Sequence, residues 1–497
     1  GEGSKREMLL GIDIGTSSIK GMLMEEDGKI VSVKSSGYPV EIPRAGWAQQ
    51  DPALWWEGLC DVLAQMRQDQ PDILGSVRGI GFSGQMHGLT AVDREGNPVC
   101  PAIIWMDQRA TGELGEIREK ISAGEQGRIL HNRVFNGFAL ASLLWMKNQD
   151  RGTYERIYRV FQPKDYIRYR LTGQMGTDYS DASASLMLDV GKREWAWELL
   201  EKLGIDGSLL TPLGGSWEIS GTVTRKAAGQ TGLPEGIPVV YGAGDQQAQS
   251  IGNGAVQEGR MISNIGTGAQ ISAFSASDFY DPELRTHTFC HAVPDAYTIY
   301  GAMLTGGMSL NWMKNQILRE DSFEKLGQMA ETVEPGSGGL VFLPYLSGER
   351  TPLMNPDAKG VFFGLTLKHE AAHMVRSVME GVTFALRDSM EILEGLGVRA
   401  DRLTASGGAS GSPVWLQIQA DILGKEIQVC RSQEQACLGA CILAGVGIGV
   451  YPDISAACGR LVSFEEKVYR PRGQYAAMYE ELYRKYHGIY QGTKNWM

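Results

Sequence analysis

The sequence predicts an α/β protein made of two similar lobes with a cleft between them, and three observations predict it. The chain opens as three strands, a helix and a strand. A short Gly-Thr segment near the start recurs half a chain later, again between strand-like runs. Glycine makes up 64 of the 497 residues, well above its usual share of about 7%, which signals many tight turns and close backbone approaches. A chain this long also exceeds what one hydrophobic core spans.

The elements follow in order. Met8 to Ile14 reads as a buried strand, Ser18 to Met24 as a second, and Asp27-Gly28 as the turn into a third from Lys29 to Ser35. Asp51 before Pro52 is a cap and first-turn signal for a helix to about Gln68, with a strand from Val77 to Ser83 behind it. Tyr166 to Leu171 reads as a half-buried helix and Glu194 to Leu203 as another; strand Pro238 to Tyr241 leads into Gly242-Ala243-Gly244-Asp245. Asn264-Ile265-Gly266-Thr267-Gly268-Ala269 then echoes Asp13-Ile14-Gly15-Thr16-Ser17-Ser18, so each copy is expected to be a hairpin with a Gly-Thr tip. Strand Arg402 to Ala405, Gly407-Gly408, helix Ser412 to Leu423, strand Glu426 to Cys430 and a small-residue helix Glu434 to Gly447 complete the second lobe. The boundaries predicted are 8–253 and 254–469, with the last helix, Tyr475 to Tyr490 within 470–497, returning to the first lobe.

Composition narrows the function. Hydrophobic residues are 43% and charged residues 21%, as in folded proteins, and the net charge of −11 argues against an electrostatic grip on nucleic acid or anionic lipid. Seven cysteines without a C-x-x-C pair do not make a disulfide framework, and Cys437 and Cys441 fit one helix face. Neither a leader-like apolar stretch after Gly1 to Glu7 nor a run of 18 apolar residues occurs, so the expectation is a cytoplasmic enzyme acting on a small molecule, with no nucleic-acid or membrane partner.

Several letter matches lead nowhere. Gly79-Ile80-Gly81-Phe82-Ser83-Gly84 spells G-x-G-x-x-G but lies inside a strand with no helix behind it. Ser17-Ser18-Ile19-Lys20 spells S-x-x-K but sits on a hairpin without its companion motifs. His287, Cys290 and His291 alternate as strand residues do, and a structural role is expected of them.

What remains carries chemistry. Backbone N–H groups at a glycine-rich tip can surround phosphate oxygens, with a threonine or serine hydroxyl as an added donor. Two such tips in corresponding places, Gly15-Thr16-Ser17 and Gly266-Thr267-Gly268, point to one polyphosphate clasped between the lobes, with Lys20 beside the first. Asp13, at a buried strand's end, either caps its own turn or accepts Mg²⁺ or its waters, and the tips favour the second. Asp245 follows a strand at the end where α/β proteins place ligands; it reads either as a helix cap or as a base that accepts a hydroxyl proton while the hydroxyl attacks the γ-phosphorus. An aspartate of ordinary pKa, about 3.9, is expected to suffice.

These residues resemble those of the FGGY carbohydrate kinases, a family of the actin-like (ribonuclease H-like) ATPase superfamily, from Leu9 to about Tyr451. Gly360 to Leu365, seven residues, then His373 to Glu380 fits the family's C-terminal signature throughout. Ser83-Gly84-Gln85-Met86-His87-Gly88, Trp105 to Arg109, Pro163 to Tyr166 and Ser180 to Ser183 are most similar to members that phosphorylate D-xylulose. The resemblance implies ATP and Mg²⁺ as cofactors, a small sugar as partner and commonly a homodimer. It makes Asp245 the base, with Asp13 as metal acceptor through water. Met86, His87, Asp245 and Gln246 would bind the sugar; the imidazole would offer a donor and an acceptor to vicinal hydroxyls. Thr16, Ser17, Lys20, Thr267, Gly268, Gly307, Gly407 and Gly408 would bind the nucleotide. Two departures stand out: Ser142 replaces a signature lysine, read as a lost surface charge, and Gln246 replaces the asparagine usual after the base. The rival readings are a kinase for L-xylulose, ribulose or gluconate, and a non-catalytic ATP-switch protein.

Overall fold

The computed structural model describes residues 7–497, so the opening stretch read above lies, apart from Glu7, outside the described residues. Strands β1 (Met8–Ile14) and β2 (Ser18–Glu25) form an antiparallel hairpin, and β3 (Ile30–Gly37) extends it. Helix α1 (Pro52–Asp69) starts where Asp51 accepts a hydrogen bond from the Ala53 N–H at 3.0 Å. Its Trp55, Leu59, Val62 and Met66 are spaced as one helical face and are fully buried with the hairpin residues. Strand β4 (Val77–Gly84) then lies parallel to β1, setting Asp13 opposite Ser83. After α2 (Pro163–Thr172) and α3 (Tyr179–Ala184), strands β5 (Ile219–Thr222), β6 (Pro238–Val240) and β7 (Ala243–Gly244) complete the sheet in the order β5-β6-β4-β1-β2-β3, with β7 also paired to β4. Helix α4 (Asp245–Gly252) follows at once.

The second half repeats the plan. Strands β8 (Gly259–Ile265) and β9 (Ala269–Ser275) form a hairpin, β10 (His287–Cys290) and β11 (Tyr297–Met303) extend it, and helices α5 (Gly307–Trp312) and α6 (Ala371–Gly395) follow. Strand β12 (Ala400–Ser406) lies parallel to β8, then come α7 (Pro413–Leu423), β13 (Glu426–Val429), α8 (Gln435–Gly447) and α9 (Ala476–Thr493). The sheet order is β10-β11-β9-β8-β12-β13. In each half, then, antiparallel strands, three in the first and four in the second, continue into two parallel strands, and the echoed hexapeptide forms the same hairpin end twice. Asn264 pairs with Ser406 as Asp13 pairs with Ser83.

Three expectations need correction. The terminal helix α9 does not return to the first lobe. Its stripe of Tyr479, Leu482, Tyr483 and Tyr486 joins the core formed by α6, α7 and Tyr345, whose hydroxyl meets that of Tyr486 at 2.5 Å, because only there do Glu380 and Asp388 wait to accept tyrosine hydroxyls. The second-half helix that packs on the first sheet is α8. It can lie flat there because a Cβ at Gly81 would collide with the Ala440 carbonyl oxygen, and its Cys437 and Cys441 are buried against the strands, as their spacing predicted. The segment Glu194 to Leu203 is split: Glu194–Trp195 pairs with Leu188–Asp189, and only Trp197–Lys202 is helical. Ser142 lies inside a helix with 1% exposure, so it is no surface position. No helix among the described residues is long and apolar enough to cross a membrane.

Candidate active site

The parallel strands β1, β4 and β7 bring three sequence positions together at their C-terminal ends. Asp13 is the penultimate residue of β1, Ser83 stands opposite on β4, and Asp245 begins α4 directly behind β7. Gly244, not Asp245, takes the capping position, which leaves the Asp245 carboxylate free of that duty. Burial pushes the Asp245 pKa up to about 7, and the nearby Asp13 charge adds to it, against hydrogen bonds from the N–H groups of Gln246 and Asp245 itself. The expected ordinary value therefore does not hold. Asp13 is also raised, by burial first, with the Ser83 hydroxyl and Lys20 opposing. Its Oδ1 is buried and has no hydrogen-bond partner. Burial works against the charge of Lys20, but the Glu434 carboxylate at 3.0 Å outweighs it and holds the pKa above its ordinary value; the lysine is thus already ion-paired.

Asp245 faces a cavity of about 360 Å³ lined by Gln85, Met86, His87, Trp105, Gln246 and, from the second half, Gly266, Gly268, Gln270 and Tyr300. Among the described residues no lysine or arginine lines it. His87 adopts a left-handed backbone conformation, φ 76°, and its Nδ1 lies 2.9 Å from the Ala184 carbonyl. A carbonyl only accepts, so Nδ1 carries the proton and Nε2 is left as an acceptor. The imidazole therefore does not offer both a donor and an acceptor to a ligand. Burial lowers its pKa to about 4, with Arg350 adding to the effect, and the ring packs tilted by 35° against Phe138 at 3.9 Å between centroids.

The first tip is braced from behind. Gly15 O accepts from the Tyr38 hydroxyl and Thr16 O from Gln50 Nε2, while Thr16 Oγ1 accepts from Trp105 Nε1 at 2.9 Å, which ties the tip to the cavity wall. Ser17 is exposed. In the second tip, Gly266 O accepts from the Gly307 N–H at 2.7 Å and Thr267 O from the N–H groups of Gly306 and Met308 at 3.0 and 3.1 Å. Glycine is required where these segments cross: Gly407 has φ 82°, and a Cβ there would lie 2.5 Å from Ile265 O. Gly266, Thr267, Gly307 and Gly408 border a second cavity of about 500 Å³, with Phe323, Met379 and Trp415 supplying apolar walls. Gly266 belongs to both cavities, so they meet at the second tip.

Sequence reasoning missed a buried ionic cluster behind Asp245. Lys164 Nζ lies 2.9 Å from Asp165 and 2.5 Å from both Asp178 and Asp181, and Arg168 pairs with Asp165 at 2.7 Å, all at zero exposure. Three carboxylates so close form a cation site, and the lysine ammonium fills it. The cluster reaches the site through α3: Gly244 N–H donates to Ser180 Oγ at 3.0 Å, and α3 ends at Ala184, the acceptor for His87. The available signal was the pair Lys164-Asp165 in a chain that later places Asp178 and Asp181 one helical turn apart. His287, Cys290 and His291 do not converge on a metal site among the described residues; His287 bonds Asn132 Oδ1 at 2.9 Å instead.

Two duplicated lobes meeting around adjoining cavities, with a carboxylate facing one and the second glycine tip bordering both, are the architecture of the actin-like ATPase superfamily. The chain belongs to the FGGY family of carbohydrate kinases: the family's N-terminal domain matches residues 8–252 and its C-terminal domain residues 262–448. It is 35% identical to a xylulose kinase of Lactococcus lactis over 98% of this chain and 97% of that protein, and 33% identical to a gluconokinase of Bacillus subtilis over 92% and 89%. The crystal structure of a xylulose kinase from Rhodospirillum rubrum superposes with a TM-score of 0.93 at 29% identity, covering 99% of both chains. Kinases of this family use ATP as the phosphate donor.

Proposed function

We propose that the protein transfers the γ-phosphoryl group of ATP to a terminal hydroxyl of a small neutral ketose, D-xylulose at O5. The observation that carries the reading is that Asp245 and His87 share a cavity wall with the Gly266–Gly268 tip, which also borders the larger, partly apolar cavity. A sugar in the smaller cavity and a nucleoside in the larger would meet at that tip. Asp245 takes the hydroxyl proton; a pKa near 7 makes it a better proton acceptor than an ordinary aspartate while leaving much of it ionised at neutral pH. His87 Nε2 accepts a hydrogen bond from a sugar hydroxyl, and Gln246 contributes its amide. The second tip, with Gly307, Gly407 and Gly408, holds the nucleotide, and the first tip, with Thr16, Ser17 and Lys20, approaches the γ-phosphate.

The unpartnered Oδ1 of Asp13 fits a cation or its water ligands. Mg²⁺ bound there would neutralise phosphate charge as it develops. Asp13 itself orients that ligand and, through its charge, keeps Asp245 basic.

No lysine or arginine among the described residues lines the smaller cavity, which supports a neutral sugar over a sugar acid such as gluconate, although the Arg350 charge does reach its His87 and Tyr300. An ADP-release assay across D-xylulose, L-xylulose, D-ribulose, gluconate and glycerol tests the proposal. A preference for gluconate refutes the neutral-sugar reading, and no turnover of any of them refutes the kinase reading.

A further inference from the structure

Gln246 is the second residue of α4 in the first lobe, and Gln270 is the second residue of β9 in the other. Their side chains meet across the cleft: Gln270 Nε2 donates to Gln246 Oε1 at 2.7 Å, and both line the cavity that Asp245 and His87 face. A carboxamide carries two N–H donors and one acceptor oxygen. With its oxygen held by Gln270, Gln246 has both N–H groups left for whatever occupies the cavity. Its polarity towards a ligand is thus set by a residue of the opposite lobe.

We propose that Gln270 is a specificity-determining residue: by holding the Gln246 oxygen it turns the Gln246 N–H donors to the substrate, which selects a sugar carbonyl over a hydroxyl at the same carbon. A carbonyl is a pure acceptor and matches two donors. A hydroxyl also brings a proton that needs an acceptor of its own, and a donor-rich wall serves it less well. The inference rests on the ketose reading above.

Gln270→Glu reverses the arrangement. A carboxylate only accepts, so Gln246 must turn an N–H towards Glu at 270 and present its oxygen to the cavity, where it opposes a carbonyl and welcomes a hydroxyl. The measurement is the ratio of kcat/KM for D-xylulose to that for D-arabinitol, the same five-carbon chain with the carbonyl reduced. Any change in the strength of the base cancels in that ratio. In Gln270→Glu the ratio is expected to fall by about tenfold or more, the size of one hydrogen bond lost or gained. Gln270→Met, which removes the donor without adding charge, should lower it by a smaller factor and serves if the glutamate variant fails to fold. With Gln246→Leu already in place, neither change at 270 should move the ratio further. If wild type phosphorylates D-xylulose and both variants keep its ratio, the role of Gln270 is refuted while the ketose reading stands. An effect that persists in the Gln246→Leu background also refutes it. If wild type phosphorylates neither compound, the ketose reading falls and this inference falls with it.

Discussion

His87 Nδ1 lies 2.9 Å from the carbonyl oxygen of Ala184, and that one contact fixes what the imidazole can offer a ligand. The proton is on Nδ1, so Nε2 accepts. Burial, with a contribution from Arg350, lowers the ring's pKa to about 4, and the acceptor therefore persists through the neutral range. Sugar affinity measured by calorimetry should be flat from about pH 8 down to 5, as far as His87 is concerned, and weaken below that as Nε2 gains a proton. His87→Phe, which keeps an aromatic ring against Phe138 but not the acceptor, should raise KM for the sugar by roughly tenfold or more at neutral pH. An unchanged KM would remove His87 from the binding set.

Asp245 titrates where the enzyme would work. A base needs its ionised form, so kcat/KM should rise with pH through about 7 and level off above it. Asp245→Asn should lower kcat by about 10² to 10⁴ with sugar affinity largely retained. Near-normal turnover would refute the assignment.

The same shift has a consequence for stability. The folded-state pKa lies above the unfolded value, so between about pH 4 and 7 the folded protein keeps a proton that the unfolded chain has lost, and stability falls as pH rises through that window. Asp245→Asn abolishes this loss. Its melting temperature should exceed that of wild type above pH 7, by an amount on the order of 1–3 kcal/mol in stability, and the difference should vanish near pH 4. A variant less stable than wild type at pH 8 would contradict the burial argument.

Lys164 holds three carboxylates at zero exposure, and the members of the cluster differ. Lys164 and Arg168 overcome the burial of Asp165 and hold its pKa low, whereas burial keeps Asp181 well above its ordinary value despite Lys164. Asp181→Asn should therefore be far milder than Asp165→Asn in a denaturant titration at pH 7. Lys164→Met, which takes the cation from Asp178 and Asp181 while Asp165 keeps Arg168, should cost about 3–5 kcal/mol. Equal effects of the two aspartate substitutions would overturn this division.

Gly407→Ala forces a Cβ against Ile265 O in a left-handed backbone conformation. The second tip must shift, so the KM for ATP should rise by about tenfold or more while that for sugar stays within about threefold. Equal losses for both substrates would show that the two cavities do not divide the ligands as proposed.

The duplicated hairpins, the strand-end position of Asp245 and the glycine tips are legible in the residues alone, because each is written in a short stretch: apolar runs bounded by Asp-Gly or Gly-Thr, and a hexapeptide that recurs. The rest depends on partners far away in the chain and emerges only once it is folded. Gln246 meets Gln270, Lys164 gathers Asp178 and Asp181, and Ala184 sets the His87 tautomer. Tyr479 and Tyr483 draw the last helix to Glu380 and Asp388 of the second lobe, while α8 closes over the first sheet. Burial raises Asp245 to about 7 for the same reason: a pKa follows the surroundings a chain folds into, and no local spacing encodes them.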